Sequence, residues 1–352
     1  METFDGTRRW GLATLLPLPA VLLWTALTAS RASGKSLKRI LGVRAFRYLT
    51  SNLSVSQVQY LLGNTMDVYT KWTKSVKLPR VADELGGAAR LLWVGPKRLD
   101  RVIYVFHGGY FILPVTDFTL AFWRYVQVSL EKQGIEVGIA VLQYSLAPIS
   151  TFPTPLNQAR LGLEALLAAG VRPENLIIAG DSAGGNLALQ LFSQMLHPLS
   201  DMPEIRPASP FRGLCLLSPW VSLTADTASV RECDGIDTMT ERMLAVLGAD
   251  ILAGFPEADH AAFAEASKAP GTWFHGLRGL VQRVLVTAGS FECMRDDITR
   301  LGEGLKTHHP NVELVVQEGG LHDDMLLDFM MKESKLGSLT PLIISWIAAE
   351  SS

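Results

Sequence analysis

Apolar residues fall along this chain in short dense runs separated by longer stretches at helical spacing. Leu91–Val94, Val102–Phe106, Val137–Gln143, Leu176–Ala179, Leu214–Leu217, Val284–Thr287 and Val312–Gln317 are short apolar runs, and their length and β-branched content predict strands. Between them Phe118–Leu130, Pro155–Ala169, Leu187–Leu196, Asp296–Lys306 and Leu342–Ala349 carry apolar side chains at helical spacing and predict helices. A strand can be apolar at every position only if both of its faces are buried. The alternation therefore implies an α/β architecture, a mostly parallel sheet with helices on both faces. No fixed-period repeat or low-complexity tract interrupts it, which excludes solenoid and collagen-like folds.

Two stretches break the rhythm. Residues 34–77 are helical in character and precede the first predicted strand. Residues 221–279 carry Ala, Met, Leu, Trp and Phe at helical spacing between two strands, too long for an ordinary connection. Together, over about 34–85 and 221–280, they are expected to form a helical lid above the carboxyl ends of the strands, where open α/β sheets bind ligands.

Near the amino terminus, Trp10–Ser30 contains no charged residue and is flanked by Arg8, Arg9 and Arg31. That length is about one bilayer span, which takes roughly 20 apolar residues; Pro17 and Pro19 would kink such a helix without excluding it. The run exceeds the roughly 7–15 residues of a signal-peptide core, although Ala26, Thr28, Ala29 and Ser30 would suit a cleavage region. The expectation is an N-terminal transmembrane helix within residues 1–33, a single-pass anchor in a membrane such as the endoplasmic reticulum, and a catalytic domain over 34–352; a secreted protein is the alternative. Lys35, Lys38, Arg39 and Arg44 place that domain on the cytosolic side by the positive-inside rule. The sequon Asn52-Leu53-Ser54 would be used only on a lumenal side, so the two signals oppose each other.

Composition narrows the function classes. With 48% hydrophobic and 19% charged residues and a mean hydropathy of +0.21, the chain suits one large core and argues against disorder. A net charge of −2 without a basic run leaves no electrostatic footprint for nucleic acid. Cys215, Cys233 and Cys293 are too few and too scattered for a disulfide framework or a CxxC metal site, and read as packing thiols. No metal or organic cofactor is called for.

The strongest local motif is Gly180-Asp181-Ser182-Ala183-Gly184, a G-x-S-x-G that follows an apolar strand and precedes a helix. Glycines flank the serine because a nucleophile on a cramped strand-to-helix turn leaves no room for side chains, and helix-terminal amides then face it. His107-Gly108-Gly109-Tyr110 closes the strand Val102–Phe106. Its glycines can aim backbone N–H groups of Gly108 and Gly109 at a developing oxyanion, joined by the amide of Ala183, while His107 reads as a structural turn residue. His322, just after Val312–Gln317, is the expected general base, since Ser182, an acid and His322 then follow in the order this arrangement takes. Glu292, close after Val284–Thr287, is the expected third member, and Asp296 is its alternative.

Taken together, these blocks resemble the hormone-sensitive-lipase-like branch of the α/β hydrolases. The oxyanion motif H-G-G-G appears as His107-Gly108-Gly109-Tyr110, Y-x-L-A-P as Tyr144–Pro148, G-D-S-A-G-G as Gly180–Gly185 and S-P-W as Ser218–Trp220. The acid box D-P-L-R-D aligns with Glu292–Asp296 and puts Glu292 at the acid position. The resemblance covers roughly 90–330 and implies the α/β-hydrolase fold and a serine esterase. Two departures stand out: Tyr110 replaces the third glycine, and a glutamate replaces the aspartate. With its apolar amino terminus the chain is similar to fungal-type membrane-associated esterases, including steryl acetyl hydrolases. That implies hydrolysis of a short acyl or acetyl ester of a hydrophobic substrate such as a sterol or secondary metabolite. The competing readings are dehydration, acyl transfer or cyclisation at the same site in a biosynthetic pathway, and a ligand-binding protein without catalysis.

Overall fold

The structure, a computed structural model, describes residues 14–28, 35–255 and 260–350. Its centre is an eight-stranded sheet: β1 Ala82–Gly86, β2 Ala89–Trp93, β3 Val102–Phe106, β4 Gly138–Gln143, β5 Leu176–Asp181, β6 Gly213–Leu217, β7 Val284–Gly289 and β8 Val312–Gln317. The spatial order is β1-β2-β4-β3-β5-β6-β7-β8. β1 and β2 form an antiparallel hairpin and β2 joins β4 antiparallel; every later pairing is parallel.

Strand periodicity divides the apolar runs between two cores. Along β3, Val102, Tyr104 and Phe106 join one cluster with Leu156, Leu187 and Ile298 of the helices Thr154–Ala168, Ala183–Leu196 and Arg295–Lys306. Ile103 and Val105 point the other way, into a cluster with Trp123 and Ile343 of the helices Asp117–Glu131 and Leu339–Ala348. All residues of β3, β5, β6 and β7 are buried, as a sheet covered on both faces requires. β1 escaped the sequence pattern because Ala-Asp-Glu-Leu-Gly is a half-exposed edge with no apolar run; it lies within the stretch expected to be lid and belongs instead to the sheet.

Before β1 run the helices Leu37–Asn52, Val55–Leu62 and Thr65–Ser75, each opened by a side-chain cap from Ser36, Ser54 or Asn64. The second irregular stretch contains the helices Ala228–Cys233, Glu241–Leu252, Ala261–Ala264 and Leu277–Leu280. The two stretches meet: Ser51 Oγ lies 3.6 Å from Met243 Sδ, and the Arg47 guanidinium donates to the carbonyls of Asp237 and Met239.

The amino terminus requires a correction. Among the described residues no helix is long and apolar enough to cross a membrane. The expected span yields the helix Leu18–Thr28, whose 11 residues reach ~16 Å at 1.5 Å per residue, about half of the ~30 Å hydrocarbon core. A turn at Leu16-Pro17 precedes it, and Pro19 sits in its first turn, where a missing N–H is tolerated. Residues 10–13 and 29–30 of that span lie outside the described residues.

Candidate active site

β5 carries its buried run up to Asp181, and the chain then reverses into the helix Ala183–Leu196 through Ser182 at φ +49° and ψ −118°. For a residue with a Cβ that backbone is strained, by about 1–3 kcal/mol. Its surroundings hold it: Ser182 N–H donates to Leu217 O at 3.0 Å, and Ser182 O accepts from the amides of Trp220 and Asn186 at 2.9 and 3.1 Å. The flanking glycines are required by close approach, since a Cβ on Gly184 would lie 1.9 Å from Phe106 O and one on Gly180 2.3 Å from Gly184 O.

Three loops at the carboxyl edge of the sheet bring the expected residues together. Ser182 Oγ lies 3.0 Å from His322 Nε2, and His322 Nδ1 donates to Glu292 Oε1 at 2.7 Å. Glu292 is fully buried, and its second oxygen accepts from Gly289 N–H at 2.8 Å and Ser218 Oγ–H at 3.0 Å, so the carboxylate is held in place beside the imidazole. Asp296, the other acid weighed, faces away: it accepts from Ser229 N–H at 2.8 Å and pairs with Arg295. Burial disfavours charge on His322, but Asp323, Glu292 and Asp237 together outweigh it and lift the imidazole to about 10.

The oxyanion loop is braced from both sides. His107 stacks on Tyr144 with ring centroids 4.5 Å apart, and Tyr144 Oη–H donates to His107 O at 2.8 Å. Burial lowers the His107 imidazole to about 4, which keeps it neutral at physiological pH. Gly108, expected among the oxyanion donors, gives its N–H to Asp181 Oδ2 at 2.8 Å, whereas among the described residues the amides of Gly109 and Ala183 have no such partner. Tyr110 and Phe111 follow in left-handed backbone, φ +58° and +61°.

Sequence reasoning passed over Asp237, which is fully buried in the second irregular stretch. Its Oδ1 accepts from the amides of His322 at 2.8 Å and Thr238 at 2.7 Å, and its Oδ2 from Cys293 at 2.9 Å. One carboxylate thereby ties the histidine loop to the acid loop. Burial raises its pKa, against the pull of the nearby imidazole. Asp323, with Oδ2 at 3.2 Å from His322 Nε2, was passed over too. No local motif marks either residue: the partners of Asp237, His322 and Cys293, come from distant parts of the chain, and Asp323 meets the ring of its own neighbour only through a left-handed turn. Cys293 is buried, and burial pushes its thiol upward, which leaves it unreactive.

A cavity of about 70 Å³ opens at Ser182 and His322, walled by Phe46, Tyr110, Leu113, Phe118, Leu326 and Met330 among others. Tyr110 and Leu113 also wall a second, apolar cavity of about 210 Å³ that reaches Leu53, Val58, Met243 and Leu247.

Sheet topology, strand-turn-helix and these loops define an α/β hydrolase. Residues 103–326 match the family model described as alpha/beta hydrolase fold, and the chain belongs to that family. An esterase of Acinetobacter venetianus is 28% identical over 241 residues, 67% of this chain and 71% of that protein. A putative steryl acetyl hydrolase of Schizosaccharomyces pombe is 26% identical over 152 residues, 41% of this chain and 38% of the yeast protein. The crystal structure of an esterase from the bacterial hormone-sensitive lipase family superposes with a TM-score of 0.66 at 22% identity, over 89% of this chain and 97% of that one.

Proposed function

We propose that this carboxylic ester hydrolase removes short acyl groups, acetyl foremost, from an apolar alcohol such as a sterol or polycyclic metabolite. The observation that carries the reading is the cavity at Ser182: about 70 Å³, lined largely by apolar side chains and bounded by Tyr110. It has room for an acetyl group or its next few homologues and none for a long chain. In this reading Ser182 Oγ attacks the ester carbonyl while its proton passes to His322 Nε2. Glu292 keeps the other ring nitrogen protonated and compensates the imidazolium. The amides of Gly109 and Ala183 receive the oxyanion. His322 returns the proton to the departing alcohol, and water repeats the cycle on the acyl-serine to release the acid. The helices of 37–75 and 228–280 act as the lid and supply apolar contacts for the alcohol.

Hydrolysis of p-nitrophenyl esters from two to twelve carbons, with Ser182→Ala and His322→Ala beside the unsubstituted protein, tests this. kcat/KM should peak at two to four carbons and fall steeply beyond. Each substitution should cost about 10³-fold or more, as loss of a residue that acts as part of a catalytic unit does. Preference for the long esters, or turnover that survives Ser182→Ala, would refute the reading.

A further inference from the structure

His322 has one nitrogen left for chemistry once Nδ1 is given to Glu292, and a hydroxyl and a carboxyl both lie against it. Ser182 Oγ is 3.0 Å from Nε2, and Asp323 Oδ2 is 3.2 Å from the same atom. Asp323 directly follows the histidine, and its left-handed backbone, φ +53°, folds it back toward the ring. The turn is anchored: Asp323 N–H donates to Ser218 Oγ at 3.2 Å, and Ser218 donates in turn to Glu292. The second carboxyl oxygen, Oδ1, is buried without a hydrogen-bond partner among the described residues, and no lysine or arginine pairs with Asp323. Asp323 also lines the cavity at Ser182.

Resting on the roles proposed above for Ser182 and His322, we propose that Asp323 is a positioning residue that competes with Ser182 for His322 Nε2 and so sets the pH at which the nucleophile becomes available. Carboxyl and imidazole share one proton. As an imidazolium–carboxylate pair, Nε2 carries the proton, is held in that form by the adjacent charge of Asp323 and cannot accept one from serine. Once that proton leaves to solvent, Nε2 is a base and takes the Ser182 proton, which it later hands to the leaving alcohol; no proton is gained or lost over the turnover.

The surroundings keep the shared proton within the pair. Glu292 after β7, Asp237 in the second lid stretch and Asp181 at the end of β5 all face this pair with carboxyl groups. Tyr110 of the oxyanion loop and Cys293 are the neutral titratable neighbours. The nearby cation, Arg47 of the helix Leu37–Asn52, is taken up by Asp234 and by the carbonyl of Asp237. Burial, reinforced by Asp181, Glu292 and Asp237, raises the Asp323 carboxyl well above its ordinary range, although the imidazole pulls it down. The active form of His322 is the deprotonated one, so kcat/KM must climb as pH rises through its elevated pKa. Removing the Asp323 charge must bring that rise to lower pH.

The test is the pH dependence of kcat/KM for p-nitrophenyl acetate in the full chain, with Asp323→Asn and Asp323→Ala, alongside the rate at which a fluorophosphonate labels Ser182. Asparagine tolerates left-handed backbone, so the first variant keeps the turn. Both variants should show the acid limb at least one pH unit lower, and at pH values below both limbs they should exceed the unsubstituted protein about tenfold for every pH unit the limb has moved. An unsubstituted limb at the ordinary histidine value of about 6.5, or variants whose limb does not move, would overturn the proposal. Labelling reports nucleophile availability without ester turnover, so failure of the ester reading and failure of this one are told apart.

Discussion

At position 110 a tyrosine occupies backbone that favours glycine, φ +58°, at a cost of about 1–2 kcal/mol. The ring gains burial in return: it stands edge-on to Trp220 at 5.8 Å, and its hydroxyl meets Met239 Sδ. Its position between the catalytic cavity and the larger apolar one makes it a partition. Tyr110→Ala should join the two spaces and raise the ratio of eight-carbon to two-carbon ester kcat/KM by about tenfold or more, since even one extra methylene in an apolar pocket is worth roughly 1–3 kcal/mol; Tyr110→Phe, which keeps the ring, should leave the ratio unchanged. At Glu292, Gln would keep the shape and lose the charge that fixes the imidazole. A fall in kcat of about 10²–10⁴ with little change in melting temperature is expected, by comparison with the triad aspartate of serine proteases. Glu292→Gln activity within a few-fold of the parent would remove Glu292 from the site. That Ser182, His322 and Glu292 would meet could be read from sequence because each follows a strand end with its own local framing. Asp237 and Asp323 could not, because what makes them matter is a partner that only the folded loops supply.

Arg39 shows the same limit at the scale of elements. In sequence it belongs to a basic cluster beside an apolar segment and reads as a topology signal. In the fold it is buried and clamps the helix Leu37–Asn52 to the helix Asp324–Met330 by ion pairs to both Asp324 and Asp328. Asp324 also accepts from Leu321 N–H at 3.0 Å, one residue before His322, so this clamp holds the histidine loop as well as the helix Leu37–Asn52. Arg39→Ala would remove the buried cation that two buried carboxyl groups share. Removing one partner of a buried pair costs about 3–5 kcal/mol, which should appear in urea unfolding together with a fall in kcat. A loss below about 1 kcal/mol would mean that the clamp is solvated in solution. The helix Asp324–Met330 itself was missed because its seven residues directly follow the catalytic loop and carry too short an apolar pattern to register.

For the whole molecule, the sheet could be read from apolar runs because β3, β5, β6 and β7 are buried along their whole length, which fills most of their positions with apolar residues. At the amino terminus hydropathy counts apolar residues, and it does not show the turn at Leu16-Pro17 that sets off the short helix Leu18–Thr28. None of the residues of Leu18–Thr28 is buried. Leu23, Trp24 and Leu27 are 63%, 69% and 74% exposed. A cavity of about 420 Å³ runs between Trp24, Thr25 and Thr28 on this helix and Ile40, Val43, Phe291 and Leu321 on the body. A helix that buries so little contributes little to folding. A chain beginning at residue 35 should therefore melt within about 2–4 °C of the full chain, the shift that roughly 1 kcal/mol produces in a large domain. Its turnover of p-nitrophenyl acetate should be nearly unchanged, because neither the triad nor the cavity at Ser182 draws a residue from that helix. Its solution behaviour should change more: exposed apolar side chains in one row drive association, so sedimentation should find the full chain in larger species than the shortened one. If the shortened chain instead unfolds or loses turnover, the terminal helix is part of the folded body, and its exposed face is covered by something that stabilises the enzyme.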